Sequence, residues 1–139
     1  MLAKASLQQA VTAVVERLDA RAASMSQMLG DVLLQVVEHV PGGATLEDGH
    51  GYLVSDYPLT KHVLGAREPR WVSAADSGAD EAEVRLLRSL GYDALLMVPV
   101  VVGEHVWGLL EVYDVGRTFT RDDARTAHDV VARTLGAGS

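Results

Sequence analysis

The stretch Tyr92 to Val115, YDALLMVPVVVGEHVWGLLEVYDV, constrains this chain more than any other. It holds two apolar runs, Ala94–Val102 and Val106–Tyr113, on either side of Gly103-Glu104-His105. Runs of this length, rich in Val and Leu and bounded by Gly and Asp, read as strands covered on both faces. A three-residue connection containing glycine makes them an antiparallel hairpin. The pair belongs in the middle of a sheet, and the rest of the chain must supply a cover for each side.

The chain has 139 residues, enough for one domain with an unstapled core, and residues 1–139 are read as a single unit with its core at about 7–135. Aromatic residues make up only 5%, so that core is aliphatic. There is no cysteine, which excludes disulfides, thiolate metal sites, thiol nucleophiles and thioether-linked cofactors. The formal charge is −7, and the basic residues are scattered singly or in pairs. That distribution disfavours binding to nucleic acid or to an anionic membrane surface. No apolar segment approaches the ~20 residues of a spanning helix, and Met1-Leu2-Ala3-Lys4 begins no signal peptide. A cytoplasmic protein is expected.

From the N-terminus, Leu7, Ala10, Val11, Val14, Val15 and Leu18 recur at helical spacing, giving an amphipathic helix over Ser6–Leu18. Ala22–Leu29 and Val32–Val40 read as strands around the turn Gly30-Asp31, although the first could also extend the helix. Pro41 to Gly51 is a glycine-rich loop, and Tyr52–Asp56 a short edge strand. Pro58 opens a short helix to about Leu64, and Arg70–Ser73 is a strand. Asp80–Leu90 is a helix capped by Asp80, with Glu83 at the capping-box position and Gly91 as its stop. Thr120 caps the last helix, whose stripe is Ala124, Ala127, Val130, Val131 and Leu135.

These features taken in order resemble a GAF domain. The matching residues are the Pro58-Leu59 helix start, Glu68-Pro69 before a strand, and an apolar-Pro-apolar strand around Pro99. Gly108-Leu109-Leu110-Glu111-Val112-Tyr113 and Phe119-Thr120-Arg121-Asp122-Asp123 complete the series, and the likeness spans Leu7 to Leu135. The resemblance implies an α+β fold of the profilin- and PAS-like kind. Its central antiparallel sheet would have six strands, with terminal helices on one face and loops and short helices roofing a pocket on the other. It also implies a sensory or regulatory module, a homodimer through the terminal helices, coupled to an effector domain or partner protein outside this chain. A PAS or roadblock-type domain fits less well, because two short helices fall between the hairpins.

No Gly-x-Ser-x-Gly, Walker-type or His-Glu-x-x-His motif occurs, and no nucleophile–base–orienter set can be assembled, so an enzyme is not expected. Methionine-sulfoxide-reducing and bilin-attaching GAF relatives depend on cysteine. The cyclic-nucleotide-binding signature begins with Asn, which this sequence lacks entirely. The histidines lie on separate elements; haem ligation by one such as His62 is outweighed by a solvent-facing role, and no cofactor is expected. The acidic run Asp76, Asp80, Glu81, Glu83 reads as a solvated helix start, not a cation site.

Strand alternation puts Trp107, Leu109, Glu111 and Tyr113 on one face. A carboxylate on a covered face must be paired or hydrogen-bonded, so Glu111 is either a ligand contact or half of a structural pair. Tyr52, Tyr57, His62 and Trp71 fall in the roof, and Met97 on the other central strand is a soft wall. These eight, with Trp107 and Tyr113 among them, are the pocket candidates. The dimer candidates are Leu7, Val11, Val14 and Leu18 with Ala127, Val131 and Leu135. The leading expectation is a sensor of an unknown small molecule; the alternative is a dimerisation module whose pocket is filled.

Overall fold

A computed structural model of the chain describes residues 2–42, 51–76 and 81–136. Six strands form one antiparallel sheet: β1 Ala22–Leu29, β2 Val32–His39, β3 Tyr52–Leu53, β4 Arg70–Ser73, β5 Ala94–Val102 and β6 His105–Asp114. Their spatial order is β3-β2-β1-β6-β5-β4. The expected hairpin, β5–β6, therefore lies inside the sheet, with β6 hydrogen-bonded to β1 and β5 to β4.

Alternation along these strands separates two cores. Leu96, Val98, Leu110 and Val112 face the helices α1 (Lys4–Leu18) and α4 (Arg121–Gly136). Leu95, Met97, Leu109 and Tyr113 face α2 (Pro58–Ala66) and α3 (Glu81–Ser89). Neither helix pair has a polar stripe turned inward except at Thr60 and Glu83, so both layers close by aliphatic burial.

The first helix stops at Leu18 because Asp19 takes a left-handed conformation, with φ 51° and ψ 45°, and Ala20 N–H returns to the Val15 carbonyl at 3.0 Å. That settles Ala22–Leu29 as strand. The seven side chains expected to form a dimer face prove to be core. Leu7, Val11, Val14, Leu18, Ala127, Val131 and Leu135 are all buried within the chain, where α1 and α4 pack on the sheet and on each other. An amphipathic stripe was read correctly, but its partner is this chain's own sheet. A dimer would have to use other residues.

Several local expectations change. The β5–β6 turn has two residues, Gly103 and Glu104, since Val102 pairs with His105. Gly103 at φ 62° supplies the positive torsion that such a tight turn demands. Only Tyr52–Leu53 is strand; Val54–Asp56 curls into a 3-10 turn. Asp31 causes the curl, accepting from Ser55 N–H at 3.1 Å and Ser55 O–H at 2.6 Å. Helix α2 runs to Ala66, two residues beyond the expected end, and is closed by Arg67 at φ 56°. Asp80, the expected cap of α3, His50 and most of the Pro41–Gly51 loop lie outside the described residues.

The start of α4 is built as expected. Asp123 N–H donates to Thr120 Oγ1 at 3.2 Å, and Thr120 N–H donates to Asp123 Oδ2 at 2.9 Å, a reciprocal capping box. Arg117 fastens this corner. Its guanidinium donates to the Leu18 carbonyl at 2.6 Å, to Asp114 at 3.2 Å and to Asp123 at 3.4 Å, and it lies 4.7 Å from the Phe119 ring centroid. Buried Asp114 is also 3.6 Å from Arg21.

A bulge interrupts β6. Val100 pairs with Gly108 but Val101 with Val106, leaving Trp107 as the extra residue. At Gly108 a Cβ would stand 1.9 Å from the Ser26 carbonyl oxygen of β1, so only glycine fits the close approach. Gly108→Ala is expected to cost about 3 kcal/mol, the upper end of overpacking effects. Gly65→Ala, in α2 with open space around the new Cβ, should stabilise by about 0.5–1 kcal/mol. Urea unfolding of both variants checks the pair, and equal effects would contradict the packing described.

Candidate functional site

The roof-side face of the sheet carries a row of polar residues in an otherwise aliphatic layer. Glu111 of β6 stands between Ser24 of β1 and Met97 of β5. Two residues on, Tyr113 stands between Ala22 and Leu95; two residues back, Leu109 stands between Ser26 and Pro99. Ala22, Ser24 and Ser26 are all small, so β1 lends the row little bulk and leaves the space above it to larger side chains.

Glu111 is 3% exposed and works as the hub. The Tyr52 phenol donates to its Oε1 at 3.0 Å, and the Tyr113 phenol donates to its Oε2 at 3.2 Å. Tyr52 comes from the edge strand β3 and its ring meets Tyr57 edge-on, with centroids 5.0 Å apart and planes at 79°. Tyr113 also lies 5.3 Å from Tyr92. From above, α3 lowers Glu83, 1% exposed, and α2 lowers Thr60. The Thr60 hydroxyl donates to Glu83 Oε1 and sits 3.6 Å from Met97 Sδ. Every buried side-chain polar atom among the described residues has a hydrogen-bond partner.

The six buried polar or charged residues described are Ser24, Ser26, Thr60, Glu83, Glu111 and Asp114. All but Asp114 belong to this compartment. Its electrostatics show in the phenols. Burial, then the negative charge of Glu111, pushes Tyr52 well above the usual tyrosine range, and Tyr113 and Glu83 add to the push. Tyr113 is raised well above that range by the same two leading causes, with a hydrogen bond to Ser24 acting in the opposite sense.

Five of the eight expected pocket residues thus meet here: Tyr52, Tyr57, Met97, Glu111 and Tyr113. Three do not. Trp107 is turned to the helix side by the bulge, which breaks the alternation before Gly108. Trp71 pairs with Leu96 and also faces the helices, its ring 5.7 Å from the Arg121 guanidinium. His62 is on the exposed side of α2, with Nε2 2.9 Å from Arg70 Nη2. Glu83 and Thr60 were missed. Glu83 is part of the buried stripe of α3 with Leu87, an i, i+4 relation legible in the sequence, while its expected capping partner Asp80 lies outside the described residues. Thr60 gives no such signal, being one polar residue in a short helix. No group of three His, Cys, Asp or Glu suited to a metal ion exists among the described residues.

The GAF domain family model matches residues 3–138. The chain belongs to the GAF domain family. Solved structures agree on the fold. The GAF domain of PixJ from Thermosynechococcus elongatus, described as a blue-light absorbing form, is 21% identical with a TM-score of 0.73, covering 94% of this chain and 81% of that one. A GAF domain/HD domain protein from Geobacter sulfurreducens is 15% identical with a TM-score of 0.78, covering 94% and 88%. The red/green cyanobacteriochrome NpR6012g4 is 19% identical with a TM-score of 0.74, covering 96% and 89%. A comparison with curated protein sequences gives no match. No described helix of this GAF domain is long and apolar enough to cross a membrane.

The raised phenols fix a pH dependence. Both Tyr52 and Tyr113 hold their protons longer in the folded than in the unfolded chain, whose tyrosines ionise near pH 10. The unfolded state therefore binds fewer protons above that pH, and stability, intact below about pH 10, falls as pH rises beyond it. Ultraviolet titration should show these two phenols ionising late. Tyr52→Phe should flatten the alkaline loss measured by urea unfolding at pH 9 to 11, and an unchanged slope would contradict it.

Proposed function

We propose that this GAF domain is a regulatory, non-catalytic module of the cytoplasm that senses a small molecule between the sheet and its α2–α3 roof. The observation that supports it most is the concentration of buried polar groups, two carboxylates included, on that one face. Packing alone does not call for them. Replacing a buried ionic group with a well-packed apolar one is commonly neutral or stabilising. Side chains that carry hydrogen-bond capacity into an apolar layer are what small-molecule sites use to fix orientation. The ligand chemistry is hydrogen bonding, with Glu111, Tyr52 and Thr60 as contacts. A thioether-linked chromophore has no attachment point, since there is no cysteine.

Strand β6 supplies the route outward. Glu111 and Tyr113 face the roof, while Leu110 and Val112, their immediate neighbours, pack in the core beneath α1 and α4. A ligand that prefers one position of β6 over another shifts the packing of both terminal helices by its differential affinity. Those helices then act on an effector domain or partner protein, through their exposed faces if two copies associate.

A metabolite panel screened by thermal shift tests this. A specific binder at 100 times its Kd should stabilise the protein by about 2.7 kcal/mol. Glu111→Gln should remove most of that shift while Trp71→Phe leaves it in place. A broad panel without a binder would overturn the reading and leave the filled-pocket interaction module as the better one.

A further inference from the structure

A second feature lies away from the roof. Strand β4 pairs with β5 only as far as Met97, through Arg70, so Val98–Val102 has an open edge. Along that edge, between α4 and the Arg67–Pro69 link, run two adjoining cavities of about 130 and 260 Å³. They share Val98, Pro99, Val101 and His128 as a common wall. Together they reach the size of a small-ligand site, about 300–1,000 Å³. Their outer ends differ in chemistry. The smaller ends among Leu2, Val100, Val131 and Leu135. The larger ends among Arg67, Arg121 and Arg125.

We infer that this groove is a binding site for an organic anion with an apolar tail, separate from the roof compartment and independent of its role. The charge is local: in a chain of net charge −7, three arginines line one cavity. None is committed to a buried carboxylate. Arg67 donates to the Glu104 carbonyl at 2.8 Å, Arg121 lies over Trp71, and Arg125 meets Asp122 at 3.3 Å in a pair exposed on both sides. Exposed pairs of that kind hold weakly, and planar guanidinium forks suit a carboxylate or sulfonate. The acids beside the groove, Glu68, Glu104, Asp122 and Asp129, are themselves largely exposed, so water screens them. From the anion's position the valine-lined floor leads to the apolar end, where a tail displaces water. Strand addition by a peptide is the poorer occupant, because Pro99 stands mid-edge with no N–H to offer.

Decanoate is the probe, titrated into the ¹⁵N-labelled protein below its critical micelle concentration. Saturable shifts should appear at the amides of Val98, Val100–Val102 and Ala124–His128, with those of Tyr52 and Glu111 unmoved. Decanol, with the same tail and no charge, should bind about tenfold more weakly. Arg121→Gln/Arg125→Gln, exposed positions whose loss leaves the fold intact by circular dichroism, should weaken decanoate about tenfold as well. Equal binding of decanol and decanoate, shifts centred on the roof, or no saturation would each overturn the inference. So would concentration-dependent broadening of the same amides without decanoate, which assigns the groove to a second copy.

Discussion

Everything in this structure turns on β6 having both faces covered. A strand buried on two sides can take no polar side chain unless its hydrogen bonds are supplied internally. Leu110 and Val112 meet that condition by being apolar beneath α1 and α4. Glu111 meets it by drawing phenols from β3 and from β6 itself onto its two oxygens. The edge strand is only two residues long, yet it delivers Tyr52, and Asp31 folds the chain round immediately afterwards. The roof is thus assembled around a carboxylate as much as around apolar contacts.

The bulge at Trp107 belongs to the same constraint. Gly108 lets β6 approach β1 more closely than any residue with a side chain could. The extra residue re-aims one large aromatic to the helix side without disturbing Leu109, Glu111 and Tyr113 further along. Local disorder in the ladder is confined to the outer end of the hairpin, and the polar row lies in its regular part.

Much of this was legible in the residues. The β5–β6 hairpin announced itself because runs of Val and Leu bounded by Gly and Asp have few other homes. The stripes of α1 and α4 were equally clear, but periodicity says that a face is covered and not by what. Leu7, Val14 and Val131 therefore suit a dimer face by pattern alone, and in the structure they cover the sheet. Trp107 was misplaced because a bulge leaves no mark on a binary pattern. Only the glycine beside it hinted at a close backbone approach. Trp71 sits one residue from Val72, and on a four-residue strand alternation alone does not say which faces the roof. At Glu83 the acid-rich helix start draws attention to capping, and only its phase with Leu87 signals burial.

Arg117 has a mechanical consequence. It holds the last turn of α1, the end of β6 and the first turn of α4 together through Leu18, Asp114 and Asp123. The two helices are thereby tied at one corner, while at the other Leu2 and Leu135 line the same cavity. Helix α4 has 16 residues and so is about 24 Å long. Over that length a tilt of about 5° around the Arg117 corner would carry the far tip about 2 Å, so Arg117 fixes the end of α4 from which any small change in its packing on the sheet is magnified.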